Sequence, residues 1–428
     1  MVGVYAGQAK THSVGYSTAW LHGLVRSAAK PCEPLAKKVY SAASSLPDHL
    51  TGRIYNAPKA DMNAIPLIKP YMTEAVKARV AAVLDSGYLT EGPVTRELEK
   101  LMADYTYSEH ALAVTSCTTG MELALRAMGI GPGDEVIVPD YTYPATAGVV
   151  CIVGATPVIV DVDADTLLIN KQAAEAAITP KTRAIIPVSL FGNPLDYAWL
   201  QQLKERHGLL VLEDAACSLG TEWNGAMVGS LADISVFSLH PRKFITTGEG
   251  GMVTTNNDAW AEWMESYKHF GIDNTNADRE GIHFGRIGTN YKLSNVQAAI
   301  GLGQMQDVDM LLAERRALAD RYIDLLRGNA GIGLPVVTPR GNHSWQTFCV
   351  SVSNRDAVMQ KMRAQGIEVQ IGTYSMHMHK AFQGPECRLC GPFAGSTKAY
   401  EKTLALPLYH GMTEKEQEYV VKNLARQV

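Results

Sequence analysis

From Ile65 onward the apolar residues fall into two alternating rhythms, one helical and one strand-like. EAVKARVAAVLDSG predicts a helix with Val76, Val80, Val83 and Leu84 on one face and Gly87 stopping it. ALAVTS predicts a short buried strand, and TTGMELALRAMGI a helix that begins at a Thr pair. DEVIVP, TPVIVDVD, TRAIIPVSLFG and GLLVLEDAA predict further strands, separated by helical stretches such as KQAAEAAI and DYAWLQQLKERHG. Val-, Ile- and Leu-rich strands alternating with helices define an α/β fold, a mostly parallel central sheet flanked by helices. Past about Met310 the rhythm changes to a long helix (LLAERRALADRYIDLL), a strand over Trp345–Val352 and another helix (RDAVMQKMRAQG). The expected organisation is a large domain over 62–312 and a smaller α+β C-terminal domain over 313–428.

A chain of 428 residues exceeds what one hydrophobic core usually serves, so at least two packed units are expected. The formal charge of −4 leaves no basic footprint for nucleic acid. No apolar run reaches the ~18 residues of a membrane span. Seven scattered cysteines do not form a disulfide framework and point to a reducing, cytoplasmic compartment. Cys387 and Cys390 make a CxxC pair with no second pair at zinc spacing; a plain loop with two thiols is the reading adopted, and a metal role is the alternative. The first 61 residues differ: Met1 to Cys32 carries Lys10, Arg26 and Lys30 but no acid. A transit-type leader shares that bias; a poorly ordered extension, with Met62 opening the real domain, is the reading adopted.

In open parallel sheets ligands bind beyond the carboxyl ends of the strands, so the groups there matter most. Ser116-Cys117-Thr118-Thr119-Gly120 follows ALAV and opens a helix, where free N–H groups and the dipole favour an anion; an ordinary N-cap is the bland alternative. Asp214 ends the apolar run GLLVLED, and a carboxylate there needs a partner or must cap the next helix. Tyr143, in DYTYPAT, could cover a flat heterocycle or simply pack. Lys243, in FSLHPRKFITTGEGG, sits at a strand-to-loop junction. A free lysine titrates near about 10.4 and is a poor nucleophile at neutral pH. Desolvation, or Arg242 beside it, is expected to lower that value and expose the neutral amine. A lone lysine is usually solvated; the four groups together are not a chance set.

Phosphate cradle, ring platform, strand-end acid and strand-end amine match one cofactor, pyridoxal 5'-phosphate (PLP). Its aldehyde condenses with a lysine, its ring nitrogen shares a proton with an aspartate, and its phosphate needs donors. Pyridoxamine phosphate (PMP) is its aminated form.

The sequence resembles the DegT/DnrJ/EryC1/StrS sugar aminotransferases, of the fold-type I, aspartate-aminotransferase-like superfamily. The likeness runs from Ile65 to the C-terminus through SGYLTEGP, GIGPGDEVIVPDYTYPATA, EDAA, FSLHPRKFITTGEGGMVTTN, NYKLSNVQAAIGL and LALPLYHGMTEKE, in that order. It implies Lys243 as the Schiff-base lysine, Asp214 as the pyridine-nitrogen partner and Tyr143 as the stacking ring. It further implies that Thr118 and Thr119, through main-chain N–H, and Ser238, through its hydroxyl, hold the phosphate. Asn290 resembles an asparagine that reaches across a dimer to the neighbour's phosphate, which implies a homodimer with composite sites. Cys217 stands beside the cofactor where many members carry Gln or His, which puts the usual hydrogen bond there in doubt. Cys117 replaces a common glycine. His240, Tyr374 and His377, with His379, are candidates for sugar or nucleotide contacts, or else surface polar residues.

The activity implied is amino transfer, with L-glutamate as donor and a nucleotide-linked keto-sugar such as a 4-keto-6-deoxy hexose as acceptor. That would serve amino-sugar and surface-polysaccharide (O-antigen) biosynthesis. Dehydratases of the family carry histidine in place of the lysine, and position 243 is lysine. A non-catalytic regulatory protein on the same fold is the rival from another class.

Overall fold

The computed structural model describes residues 64–273 and 279–428. The expected leader or extension lies outside the described residues. The main sheet has eight strands. Seven are β1 (His110–Val114), β2 (Glu135–Pro139), β3 (Thr156–Val160), β4 (Thr182–Ile185), β5 (Leu210–Asp214), β6 (Ile234–Ser238) and β7 (Gly251–Thr255). A second sheet uses β8 (Ile332–Gly333), β9 (Phe348–Val352), β10 (Gln370–Ile371) and β12 (Thr403–Leu406), while β11 (Arg388–Cys390) joins the main sheet. The main-sheet order is β1-β7-β6-β5-β4-β2-β3-β11. Neighbours run parallel except around β7, which is antiparallel to both β1 and β6.

The expected α/β architecture is present, and its cause is the period of two along each strand. Ile137, Val158 and Val160 enter the core on one face of the sheet, while Val136, Val138 and Ile159 enter the core on the other. The same alternation separates the CxxC thiols, since Cys387 packs on the second core and Cys390 on the first. The second sheet is antiparallel and closes a third core that includes Phe348, Val350 and Leu404. Ile65 belongs to that third core and bridges to Ile367.

Helix α1 (Glu74–Ser86) starts at a Thr73 cap and ends at Gly87, whose φ of 68° suits glycine. Val76 and Val83 are buried as expected. Leu84 is not: it is 55% exposed, because α1 turns only a narrow stripe inward. Helix α2 (Pro93–Thr106) and, after β1, helix α3 (Cys117–Ala127), helix α4 (Ala145–Ile152), helix α5 (Tyr197–His207) and helix α6 (Asp258–Lys268) accompany the main sheet. β1 is an edge strand, and its exposed backbone is covered by side chains instead of another strand. Glu99 Oε1 accepts the Ala113 N–H (2.8 Å) and Lys268 Nζ donates to the Ala113 carbonyl (3.5 Å).

Candidate active site

Three strand ends assemble the site. β5 ends in Asp214, β6 ends in Ser238 and feeds the loop of Lys243, and β1 leads into the start of α3. β7 sets their spacing, because Gly251 lies in register with Val114 on one side and Ser238 on the other. A Cβ at Gly251 would stand 2.6 Å from both Cys117 N and Ser116 C, so the missing side chain lets the α3 N-terminus come this close.

At that N-terminus Ser116 forms a capping box: its hydroxyl accepts the Thr119 N–H (3.1 Å) and its own N–H donates to Thr119 Oγ1 (3.0 Å). Of the two N–H donors expected to grip a phosphate, that of Thr119 is therefore taken up within the cap. The Thr118 N–H has no acceptor among the described residues, as the first helical turn dictates. Ser238 is partly exposed, and among the described residues its hydroxyl meets only the His240 N–H, at 3.4 Å.

Asp214 is 4% exposed. Its Oδ2 accepts from Thr146 Oγ1 at 2.8 Å and its Oδ1 from the Ala216 N–H at 3.2 Å. Burial raises its pKa, against the lowering effect of those two donors and of Lys243. Thr146 was not among the sequence candidates, although it sits in the quoted DYTYPAT stretch. The signal was available: a buried carboxylate demands donors, and a hydroxyl three residues after Tyr143 faces the same way on a starting helix.

Lys243 Nζ contacts Cys217 Sγ at 3.0 Å. The expected depression of its pKa is not found. Burial does favour the neutral amine, but Cys217, Cys117 and Asp214 together favour the ammonium and the net direction is up. Arg242 does not act on it as expected, because its guanidinium bonds Gln370 Oε1 at 3.0 Å. The Lys243 backbone is clamped by a residue that sequence reasoning missed. Gln346 accepts the Phe244 N–H (3.1 Å) and donates to the Arg242 carbonyl (2.9 Å), gripping the neighbours on both sides. Gln346 is remote in sequence and no local pattern marks it.

Tyr143 is 65% exposed, so its ring is available to a ligand. Residues Tyr374–Ser375 pair with Tyr141–Thr142, which brings the Tyr374 ring to 6.3 Å from that of Tyr143. His379 lies edge-on to Tyr374 at 5.7 Å. His377 is held differently: its Nδ1 is 2.6 Å from Asp140 Oδ2 and its ring stacks on Phe393. His240 adjoins Lys243, accepting the Lys243 N–H on its carbonyl (2.8 Å), and burial lowers its imidazole pKa. Asn290 is exposed and its Oδ1 accepts from Lys292 Nζ at 2.7 Å. No hydrogen bond joins it to the other candidates among the described residues.

Among the described residues the donor set fits PLP: a partly buried amine for the aldehyde, a buried acid lacking a cation in hydrogen-bond contact for the ring nitrogen, and a helix start with a free N–H for the phosphate. Comparisons with known proteins agree. The model of the DegT/DnrJ/EryC1/StrS aminotransferase family matches residues 70–425. Spr1654 of Streptococcus pneumoniae, described as a sugar aminotransferase, superposes in its PMP form with a TM-score of 0.80 at 28% identity, over 85% of this chain and 98% of that one. S. venezuelae DesV superposes with a TM-score of 0.78 at 32% identity, over 85% and 98%. The aminotransferase TlmJ of Streptoalloteichus hindustanus does so with 0.79 at 27% identity, over the same shares. Fold and site thus define a PLP-dependent aminotransferase of fold-type I. The chain belongs to the DegT/DnrJ/EryC1/StrS aminotransferase family.

Proposed function

We propose that the enzyme moves an amino group from L-glutamate to a nucleotide-linked keto-sugar, such as a 4-keto-6-deoxy hexose, for amino-sugar and surface-polysaccharide biosynthesis. The observation that carries this reading is Lys243, a partly buried amine whose loop is clamped beside the buried Asp214. The Tyr143–Tyr374 aromatic pair adds a partly exposed surface suited to a sugar or base. Likeness to Spr1654, described as a sugar aminotransferase, supports the acceptor class.

PLP, when bound, supplies an aldehyde that takes up the amino group and a ring that stores the electron pair. The chain's own residues do the rest. Thr146 aims the Asp214 carboxylate, which would hold positive charge on the heterocycle. The α3 N-terminus and Ser238 would receive the phosphate, and Tyr143 would cover the ring. Lys243 would carry protons, taking one from Cα of the donor in the first half-reaction and delivering one to the acceptor carbon in the second. Taking the proton requires the neutral amine. Burial favours that form, while Cys217, the largest of the groups that raise the Lys243 pKa, opposes it together with Cys117 and Asp214.

The working unit in this reading is a cytoplasmic homodimer in which Asn290 serves the partner's phosphate. Six free cysteines among the described residues suit a reducing compartment. No helix among those residues is long and apolar enough to cross a membrane. The test is a panel of nucleotide-linked keto-sugars with glutamate, read by product mass and by NMR for the position of the new amine. Amination of one member, absent in Lys243→Ala, is expected. No turnover of any member by protein that retains its yellow cofactor would refute the acceptor class.

A further inference from the structure

The contact between Lys243 and Cys217 suggests chemistry that amino transfer does not use. Among the described residues Cys217 Sγ is the one hydrogen-bond partner of Lys243 Nζ, and the two atoms are 3.0 Å apart. Both residues are partly exposed, so a small oxidant can reach them. The other thiols near the site are differently placed. Cys117 is 8% exposed with its Sγ directed at the Val236 carbonyl, and Cys349 is 5% exposed. An oxidised sulfur at position 217 would have an amine already within 3.0 Å.

We propose that Cys217 and Lys243 form an oxidation-sensitive pair, in which hydrogen peroxide leads to a covalent Sγ–Nζ bond. The thiol is oxidised by two electrons to a sulfenic acid while peroxide is reduced to water. Lys243 first gives up its ammonium proton to solvent; its neutral Nζ then attacks the sulfur, the S–O bond breaks, and the sulfenic oxygen leaves as a second water with one of the amine's protons. The product is a sulfenamide. Its nitrogen can no longer condense with an aldehyde, so the linked protein cannot hold the cofactor covalently. An external dithiol reverses the link, because thiolate attack at sulfur expels the amine. Only this last consequence for the cofactor rests on Lys243 being its attachment point; the cross-link does not.

The test uses the full chain freed of cofactor, treated with hydrogen peroxide, alkylated, digested and analysed by mass spectrometry. A peptide pair joined through residues 217 and 243, lighter by two hydrogens than the unlinked pair, is expected. It should vanish after dithiothreitol and be absent from Cys217→Ser and Lys243→Arg. Oxidation of Cys217 to sulfinic acid, or its disulfide with Cys117 or Cys349, with Lys243 left free, overturns the proposal. A parallel sample is loaded with PLP and reduced with borohydride before peroxide. Blocking of the link there is expected; an undiminished link would overturn Lys243 as the attachment point and leave the pair standing.

Discussion

Thr146 Oγ1, on the helix that follows one strand, donates across 2.8 Å to Asp214 Oδ2 at the end of another. The same hydroxyl lies 3.1 Å from Thr142 Oγ1 and 3.2 Å from the Tyr143 carbonyl, a second and longer acceptor for its one proton. Thr146→Val keeps the shape and removes the donor. A hydrogen bond to a charged group is worth roughly 1.5–3 kcal/mol, so kcat/KM should fall about ten- to a hundred-fold. Steady-state kinetics beside a melting curve checks this; a melting point near that of the native protein assigns the loss to the site.

This pair also marks what the sequence could disclose. Asp214, Lys243 and the start of α3 were legible because each follows an apolar run, and strand ends are where parallel sheets bind ligands. The contacts that aim them were not. Gln346 reaches Arg242 and Phe244 from about a hundred residues away, and nothing local marks it. The direction of the Lys243 shift was also hidden, since it depends on where two thiols and one carboxylate converge in space. In TYSMHMH His377 reads as a sugar or nucleotide contact or else a surface polar residue, and neither reading shows that its ring is fixed by the fully buried Asp140.

Gly251→Ala tests whether spacing at the α3 N-terminus sets cofactor affinity. The new methyl would meet backbone atoms of Ser116 and Cys117 at 2.6 Å, and backbone cannot rotate aside as a side chain can. Overpacking of this kind costs about 1–3 kcal/mol. The affinity for PLP, measured by spectral titration, should weaken about tenfold. Gly248→Ala serves as contrast: its φ of 85° strains the backbone, but nothing lies within 4 Å of its added carbon. It should lower stability and leave the α3 N-terminus in place.

His343 predicts a stability slope in acid. Its Nδ1 accepts the Trp345 N–H at 2.8 Å, its ring stacks on Trp345, and burial pushes its pKa down to about 3. The unfolded chain takes up a proton near about 6.5 where the folded chain refuses it. Stability is therefore full above about pH 6.5 and is lost as pH falls toward 3, at up to about 1.4 kcal/mol per pH unit from this group. His343→Asn can still accept the Trp345 N–H through an Asx turn and does not titrate. Urea unfolding between pH 7 and 5 should show a flatter slope for the variant.

Lys268 carries the last prediction, because its loss would strand three acids at once. Its ammonium is fully buried, 2.9 Å from Glu265 and 3.2 Å from both Glu91 and Glu99. Burial raises the pKa of Glu91 and of Glu99, and Lys268 opposes that rise. Glu91 belongs to the SGYLTEGP turn and Glu99 holds the backbone of β1, so the cluster fixes the strand that leads into α3. Removing one partner of a buried ion pair costs about 3–5 kcal/mol, and Lys268→Met should lose that much in urea unfolding. The variant should also regain stability as pH falls from 7 toward 5. Its carboxyls, held above their unfolded values, then take up protons in the folded state first. Adding Glu99→Gln keeps the acceptor for Ala113 while removing one stranded charge, so the double variant should be more stable than Lys268→Met alone. If the two losses simply add, the cluster is not acting as one electrostatic unit.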